Sequence, residues 1–269
     1  MKIGCLGPAG SYSEVAAKKL SPDAEVVLFR NFPAVVSALR TGAVDEIALP
    51  IENTIQGGVL QNMDLLADER DLFAVREYIL PIEHRLVYRK GESLADIAKV
   101  YSHPQALGQC SVFLSEKLPH VRPMPVESTA EGLSRVKAPG DAAIVGAHLC
   151  AGLEERGLEA YPGNIADEKK NFTYFELVKK GEKWLDRPST YVYFMAKLLH
   201  RPGSLYRLLG VINSYGLNMT KIESRPIKDT PGEYRFFIEV EGNYLSAEME
   251  RALADMRRIC QDFKLLGCY

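Results

Sequence analysis

Within its first 110 residues the chain repeats one pattern: a short apolar run, a tight polar cluster, and the opening of a helix. Lys2–Leu6 runs into GPAGSYSE, Asp45–Pro50 into PIENTIQGG, and Lys99–Tyr101 into SHPQALGQC. Strands alternating with helices predict an α/β fold, and in such sheets ligands bind beyond the carboxyl ends of the strands. The polar clusters are therefore the first candidates for a site.

In the first cluster Ser11 or Ser13 serves as an N-cap, with Glu14 placed to favour the helix dipole. A glycine turn opening a helix offers unpaired N–H groups to an anion such as a carboxylate. It lacks the third glycine of a dinucleotide fingerprint and the Lys-Ser/Thr of a phosphate loop, so it is not a nucleotide motif. In the second cluster a carboxylate, an amide and a hydroxyl stand consecutively at Glu52, Asn53 and Thr54. Asn53 or Thr54 can cap a helix through Met63, Leu65 and Leu66, but capping needs only one of the three groups, and the cluster is read as ligand-binding. In the third, Gln105 and Gln109 lie one helical turn apart on one face, suited to a polar ligand or to a facing lobe. His103, just before a proline, is read as a turn residue satisfied by backbone, with less weight than Ser102 and Gln109.

The stretch NIADEKKNFTYFEL returns late in the first large segment. If its strand alternates, Thr173, Phe175 and Leu177 share one face and Phe172, Tyr174 and Glu176 the other. Thr173 alone would merely satisfy a backbone carbonyl; taken with the earlier clusters it is the hydroxyl around which they gather. Strand material from Asp71 to Arg89, broken near Pro81, marks a crossing into a second lobe at roughly 80–160. The segment EKWLDRPS reads as a linker, giving divisions at 1–182, 183–188 and 189–269.

Beyond the linker the order is βαββαβ: Thr190–Leu198, a helix starting at Gly203-Ser204-Leu205, strands Asn218–Pro226 and Tyr234–Glu241 joined at Pro231-Gly232, a helix Ser246–Ile259, and Phe263–Cys268. This describes a ferredoxin-like four-stranded sheet with two helices on one face, its other face or its edge covered most simply by a second copy. A net charge of −2 with interleaved signs leaves no footprint for nucleic acid or an anionic membrane surface. No apolar window is long enough to span a bilayer, and the start lacks the apolar core of a signal peptide. The five cysteines, at 5, 110, 150, 260 and 268, show neither CxxC nor Cys/His metal spacing, and read as reduced thiols in a cytoplasm.

In this order, GPAGSYSE, PIENTIQGG, SHPQALGQC and NFTYF together resemble the prephenate dehydratase family from Met1 to about Lys180. The unit that follows, with RPGSL at its helix start and NMTKIESRP on its second strand, resembles an ACT domain. The resemblance implies a two-lobed, periplasmic-binding-protein-like catalytic part with its cleft between the lobes. It also implies conversion of prephenate to phenylpyruvate with loss of carbon dioxide and water, feedback by L-phenylalanine at the ACT unit, no cofactor or metal, and a homodimer or homotetramer. Carried over by motif, Thr173 is the catalytic hydroxyl with Glu52 and Asn53 beside it, and Ser11, Thr54, Ser102, Gln105, Gln109 and Phe175 belong to the substrate site. Gly203, Ser204, Leu205, Asn218, Glu223, Ser224, Arg225 and Pro226 form the effector site between paired ACT units.

Two positions depart from the family. Tyr174 stands where Thr-Arg-Phe has its arginine, removing a cation suited to a carboxylate, and the ACT helix begins Gly-Ser-Leu-Tyr instead of Gly-Ala-Leu-Val. The first bears on substrate affinity or reaction outcome, the second on the effector. On this reading Thr173 acts as a general acid toward the departing hydroxyl, Glu52 either polarises it or holds a protonated network, and Phe175 packs either the diene or the core. A non-aromatising prephenate decarboxylase and an arogenate dehydratase stay open within the family. From another class, a catalytically decayed amino-acid sensor stays open too, although the retained Thr173 and PIENT cluster argue against it.

Overall fold

The protein is described from a computed structural model, covering every residue except Lys228, Asp229 and Pro231. The turn expected at Pro231-Gly232 thus falls partly outside the described residues. The chain opens with β1 (Lys2–Leu6), α1 (Tyr12–Leu20), β2 (Glu25–Phe29), α2 (Phe32–Thr41), β3 (Glu46–Asn53), β4 (Gly57–Gly58), α3 (Leu60–Asp68) and β5 (Leu72–Pro81). It continues with β6 (His84–Arg89), β7 (Lys99–Ser102), α4 (Pro104–Gly108), α5 (Ser111–Lys117), β8 (Arg122–Pro125), α6 (Thr129–Arg135), β9 (Asp141–Gly146) and β10 (Leu158–Ala160). The last part is β11 (Phe172–Lys180), β12 (Tyr191–Lys197), α7 (Ser204–Ser214), β13 (Met219–Pro226), β14 (Tyr234–Glu241), α8 (Ala247–Ile259) and β15 (Asp262–Cys268).

Local chemistry accounts for the helix starts. Ser11, Asn31, Ser128 and Ser246 cap α1, α2, α6 and α8 by accepting the N–H three residues on. The helix expected from Asn53 or Thr54 instead begins at Leu60, because β3 runs on through Asn53 and turns back through the two-glycine strand β4. Neither α5 nor β10 was legible in the sequence; each is short, and β10 exists through its pairing with β6. After β9 the chain makes a 3₁₀ turn at Ala147–Cys150.

Residues 84–160 form a sheet of five strands in the order β10-β6-β9-β7-β8. The other sheet runs β13-β14-β12-β15-β5-β11-β3-β1-β2, so the C-terminal unit and the first segment share one hydrogen-bonded sheet. α1 covers one face of the first segment, where Ala16, Ala17 and Leu20 pack on Ile3, Ala48 and Leu177. α2 and α3 cover the other with Leu39, Met63 and Leu66. In the C-terminal unit α7 and α8 place Leu208, Ile212, Met249 and Met256 on one face.

The opposite face of the C-terminal sheet was expected to await a second copy. It is covered within the chain instead: Tyr193, Met195, Phe237 and Leu266 join the core beneath α3. Polar contacts fix the same surface. Arg225 and Arg235 pair with Asp64 and Asp68 of α3 at 3.0 and 2.7 Å, and Lys264 Nζ donates to the carbonyls of Leu66, Glu69 and Leu72 at its end. Among the described residues, no helix is long and apolar enough to cross a membrane.

The two halves of the large sheet meet where Gly267 of β15 lies beside Ala74 of β5. A Cβ at Gly267 would sit 2.2 Å from the Ala74 carbonyl oxygen, so only glycine allows this approach. Near the seam, Glu77, Glu176 and Glu239 lie close together, with Tyr269 Oη 2.5 Å from Glu239 Oε2 and 3.4 Å from Glu176 Oε1. Burial raises the pKa of Glu176 to about 8, an effect that Lys221 partly offsets, and burial with Glu239 alongside raises that of Glu77 to about 7.

Two outcomes follow from the seam. Gly267→Ala should destabilise the protein by about 1–3 kcal/mol, the usual cost of overpacking, read as a lower denaturant midpoint. The raised carboxyl pKa values mean that the folded state holds protons the unfolded chain releases. Their stabilisation is full below the ordinary carboxyl range and is lost as pH rises through about 7 and 8. Glu176→Gln, which cannot ionise, should flatten the fall in denaturation midpoint between pH 5 and 9; an unchanged slope would refute this account.

Candidate active site

Between the two sheets lies a cavity of about 350 Å³, and Ser11, Asn53, Gln105, Gln109, Thr173 and Phe175 all line it. They reach it from α1, β3, the α4 turn and β11, elements far apart in sequence. Thr173 is half-buried, Asn53 and Phe175 are buried, and the remaining wall is largely apolar, with Phe32, Val59 and Ile82.

The pairing of β3 with β11 sets the geometry. Thr173 lies opposite Asn53, Tyr174 opposite Glu52 and Phe175 opposite Pro50, so Ile51 is an extra residue without a partner, a β-bulge. The bulge turns Asn53 to the cavity and leaves Ile51 and Glu52 together on the back of the sheet. Asn53 Oδ1 accepts from the N–H groups of Ile55 and Gln56, both at 3.1 Å, which fixes the amide orientation. Its Nδ2 then faces Asn171 Oδ1 at 2.8 Å, the Phe172 carbonyl at 3.0 Å and Thr173 Oγ1 at 3.0 Å. Thr173 Oγ1 is thus the acceptor of that bond, and among the described residues its own proton has no acceptor, leaving it free to donate into the cavity.

Three residues expected at the site lie elsewhere. Glu52 points to the back, where its Oε2 is 3.0 Å from Lys221 Nζ, so it cannot polarise Thr173. Ser102 is fully buried in the smaller sheet, its hydroxyl donating to the Ile144 carbonyl at 2.6 Å. Thr54 is exposed and ties the strand ends together, Oγ1 accepting from Phe172 N–H at 3.0 Å. Tyr174 is also on the back, so the residue at this position does not meet a cavity ligand.

Other residues at the cavity were not singled out from sequence. Asn171, 2% exposed, anchors Asn53; its place in NFTYF carried no signal beyond being polar before a strand. His84 is buried with Nε2 3.0 Å from Gln109 Oε1, and burial lowers its pKa so that the ring is neutral. His103, read from sequence as a turn residue satisfied by backbone, does line the cavity while its Nδ1 accepts from Gln105 N–H at 3.3 Å. No lysine or arginine lines the cavity among the described residues. Nor do those residues gather three His, Cys, Asp or Glu side chains as a metal would require.

The expected effector residues fall apart within one chain. Ser204 and Leu205 line a small hollow with His200 and Tyr234, Glu223 lines a cleft with Glu52 and Lys221, and Asn218 and Ser224 are exposed. Arg225 has both Nε and Nη2 3.0 Å from Asp64 Oδ2, so its guanidinium is engaged by α3.

Residues 3–183 match the prephenate dehydratase family. The chain belongs to that family. The prephenate dehydratase of Amycolatopsis methanolica is 32% identical over 271 residues, spanning 100% of this chain and 88% of the relative. The solved prephenate dehydratase of Arthrobacter aurescens, in complex with L-Phe, superposes with a TM-score of 0.86 at 31% identity, covering 100% of this chain and 89% of that one. A quorum-quenching acylase, GqqA, superposes with a TM-score of 0.85 at 27% identity, covering 100% and 97%. Both solved structures extend along the C-terminal unit as well as the part matched by the family.

Proposed function

We propose that the chain converts prephenate to phenylpyruvate, with the Thr173 hydroxyl as the general acid. The observation that carries this reading is the bond from Asn53 Nδ2 to Thr173 Oγ1. A hydroxyl oxygen that accepts from a fixed amide is polarised to give its proton away. In prephenate the bond to the ring carboxylate breaks toward carbon dioxide, its electrons enter the ring, and the opposite C–O bond breaks as the hydroxyl leaves. Thr173 delivers the proton that turns this hydroxyl into water, and solvent replaces it, so one proton is consumed per turnover. Aromatisation supplies the driving force; the protein supplies orientation and one acid.

The substrate is a dianion and the cavity wall has no lysine or arginine among the described residues. Its carboxylates are held by amide donors from Gln105 and Gln109 and by the N–H groups of Tyr12 and Ser13 in the first turn of α1, which have no intrahelical acceptor, while the Ser11 hydroxyl holds that turn in place, accepting from Glu14 N–H and donating to the Leu6 carbonyl at 3.0 Å. Phe175 packs against the diene. An acylase chemistry like that named for GqqA is less well supported, because amide cleavage needs a hydroxyl activated by a base, whereas Thr173 faces an amide donor.

The C-terminal unit, at 189–269 after a joint at 183–188, is read as an ACT regulatory domain in a cytoplasmic enzyme of phenylalanine biosynthesis. L-phenylalanine is its effector. Gly203, Ser204 and Leu205 of one copy and Asn218, Glu223, Ser224 and Pro226 of another would compose the effector site in a homodimer or homotetramer, with the open edge of β13 available for contact.

Turnover of prephenate, followed by the absorbance of phenylpyruvate with and without L-phenylalanine, tests the whole reading. Phenylpyruvate should accumulate and L-phenylalanine should slow it; carbon dioxide without phenylpyruvate would instead mark a decarboxylase, faster turnover of arogenate an arogenate dehydratase, and no turnover a sensor. Thr173→Ala should lower kcat by about 10²–10⁴-fold with the fold intact, and Thr173→Ser should lose less. A drop of only a few-fold in the alanine variant would remove Thr173 from the acid role.

A further inference from the structure

Directly behind the pair Asn53–Thr173, on the other face of the same two strands, lies the pair Glu52–Tyr174. Lys221 reaches this pair from β13 of the C-terminal unit. Its Nζ is 3.0 Å from Glu52 Oε2, 5.7 Å from the centre of the Tyr174 ring and 5.6 Å from that of Tyr193. The ammonium is largely buried. Burial opposes its charge, yet Glu176, Glu52 and Glu239 together hold its pKa above the ordinary lysine value, so it stays charged.

A bulge is the weak point of an antiparallel ladder, because moving it by one residue exchanges which neighbours face front and back. Moving the bulge of β3 from Ile51 onto the next residues would carry Glu52 toward the cavity and take Asn53 from Thr173. Such a slip would also separate Glu52 from Lys221, leaving a buried cation short of a partner, a costly arrangement. We propose that Lys221 is a positioning residue for the dehydration: by holding Glu52 and Tyr174 at the back of β3 and β11, it fixes the register that brings Asn53 to Thr173 at the front. The inference rests on the dehydratase reading. It also assigns Tyr174 a role, since an aromatic ring there offers its face to the ammonium without adding a second cation that would compete for Glu52.

The test compares wild type with Lys221→Gln, Glu52→Gln, Lys221→Arg and the double variant Lys221→Gln/Glu52→Gln, measuring kcat, KM and thermal unfolding. A displaced Asn53 should lower kcat about 10- to 100-fold in each single glutamine variant while KM changes little. Lys221→Arg should recover most of the rate, and the double variant should be no slower than the slower single one, because both remove the same contact. Unchanged kcat in the single variants of an active wild type overturns the proposal, as does a rise in KM alone, which would mean contact with substrate. Should Lys221→Gln fail to fold, Glu52→Gln carries the test, since it leaves the ammonium among the remaining carboxyls.

Amide hydrogen exchange gives a readout independent of turnover. Thr54 N–H donates to the Phe172 carbonyl at 2.9 Å and Phe172 N–H to Thr54 Oγ1 at 3.0 Å, closing the ladder just beyond the bulge. Both amides should exchange faster in Glu52→Gln, and unchanged protection overturns the proposal even where wild type fails to turn over prephenate. Failure of the wild-type assay with faster exchange in the variant would sink the dehydratase reading alone.

Discussion

The ladder between β3 and β11 carries one residue more on the β3 side than β11 can pair, and the position of that residue fixes what each face presents. With strict alternation from Ile47 and Leu49, Ile51 and Asn53 would share the buried back face and Glu52 would enter the cavity. The bulge at Ile51 reverses the last two assignments. Two contacts hold it there: Asn62, fully buried, donates from Nδ2 to the Pro50 carbonyl at 2.8 Å, and Val59 N–H donates to the Ile51 carbonyl at 2.7 Å. An amide therefore reaches Thr173 where a carboxylate would otherwise stand, and a carboxylate there would accept the Thr173 proton instead of donating to its oxygen.

The same residue explains what could be read in the sequence and what could not. On β11 the alternation of Thr173 and Phe175 against Tyr174 and Glu176 was legible, because the extra residue lies on the partner strand. The strand-to-helix turns at Ser11 and Gln105 were legible as well, since each follows an apolar run and opens a helix, and Gln109 closes the short helix that Gln105 opens. Glu52 was misplaced because a bulge is specified by contacts from Asn62 and Val59 and not by the strand's own pattern. Ser102 failed for a related reason. It is the last residue of β7, a strand flanked by β8 and β9, and its hydroxyl turns inward to a neighbouring carbonyl. His84 and Asn171 carried no pattern at all; the first matters through Gln109 and the second through Asn53, partners that only the folded chain brings to them.

Charge is distributed unequally across the sheet, and the distribution suits the chemistry. The front face of the sheet turns uncharged side chains to the cavity, whose one charged-type lining residue among those described, Glu127, comes from the facing lobe, while Glu52, Glu77, Glu176, Glu239 and Lys221 lie behind the sheet. A lysine in the cavity would bind the carboxylate that leaves as carbon dioxide most strongly before reaction, when its charge is localised. That would stabilise the ground state and slow the step. On the proposed reading, neutral donors would orient the dianion with less of that penalty, and Thr173 would act on charge that develops only as the hydroxyl departs.

α3 offers a second route by which the C-terminal unit bears on the cavity, distinct from Lys221. The helix begins just after Val59, which lines the cavity and pins the bulge, and it ends in the grip of Lys264. Arg225 and Arg235 hold its exposed side, and Arg225 belongs to the segment NMTKIESRP. A ligand of the C-terminal unit can alter turnover only by favouring one arrangement of the contacts between the two parts over another. Among the described residues those contacts include one ammonium on Glu52, two guanidinium groups of the C-terminal unit on Asp64 and Asp68, Arg70 on Asp262, and one ammonium on the carbonyls that end α3. Lys221 and Arg225 stand four residues apart on β13, on the same side of the strand. A small shift of that edge strand therefore acts on the bulge from both ends at once, through Glu52 directly and through α3 and Val59.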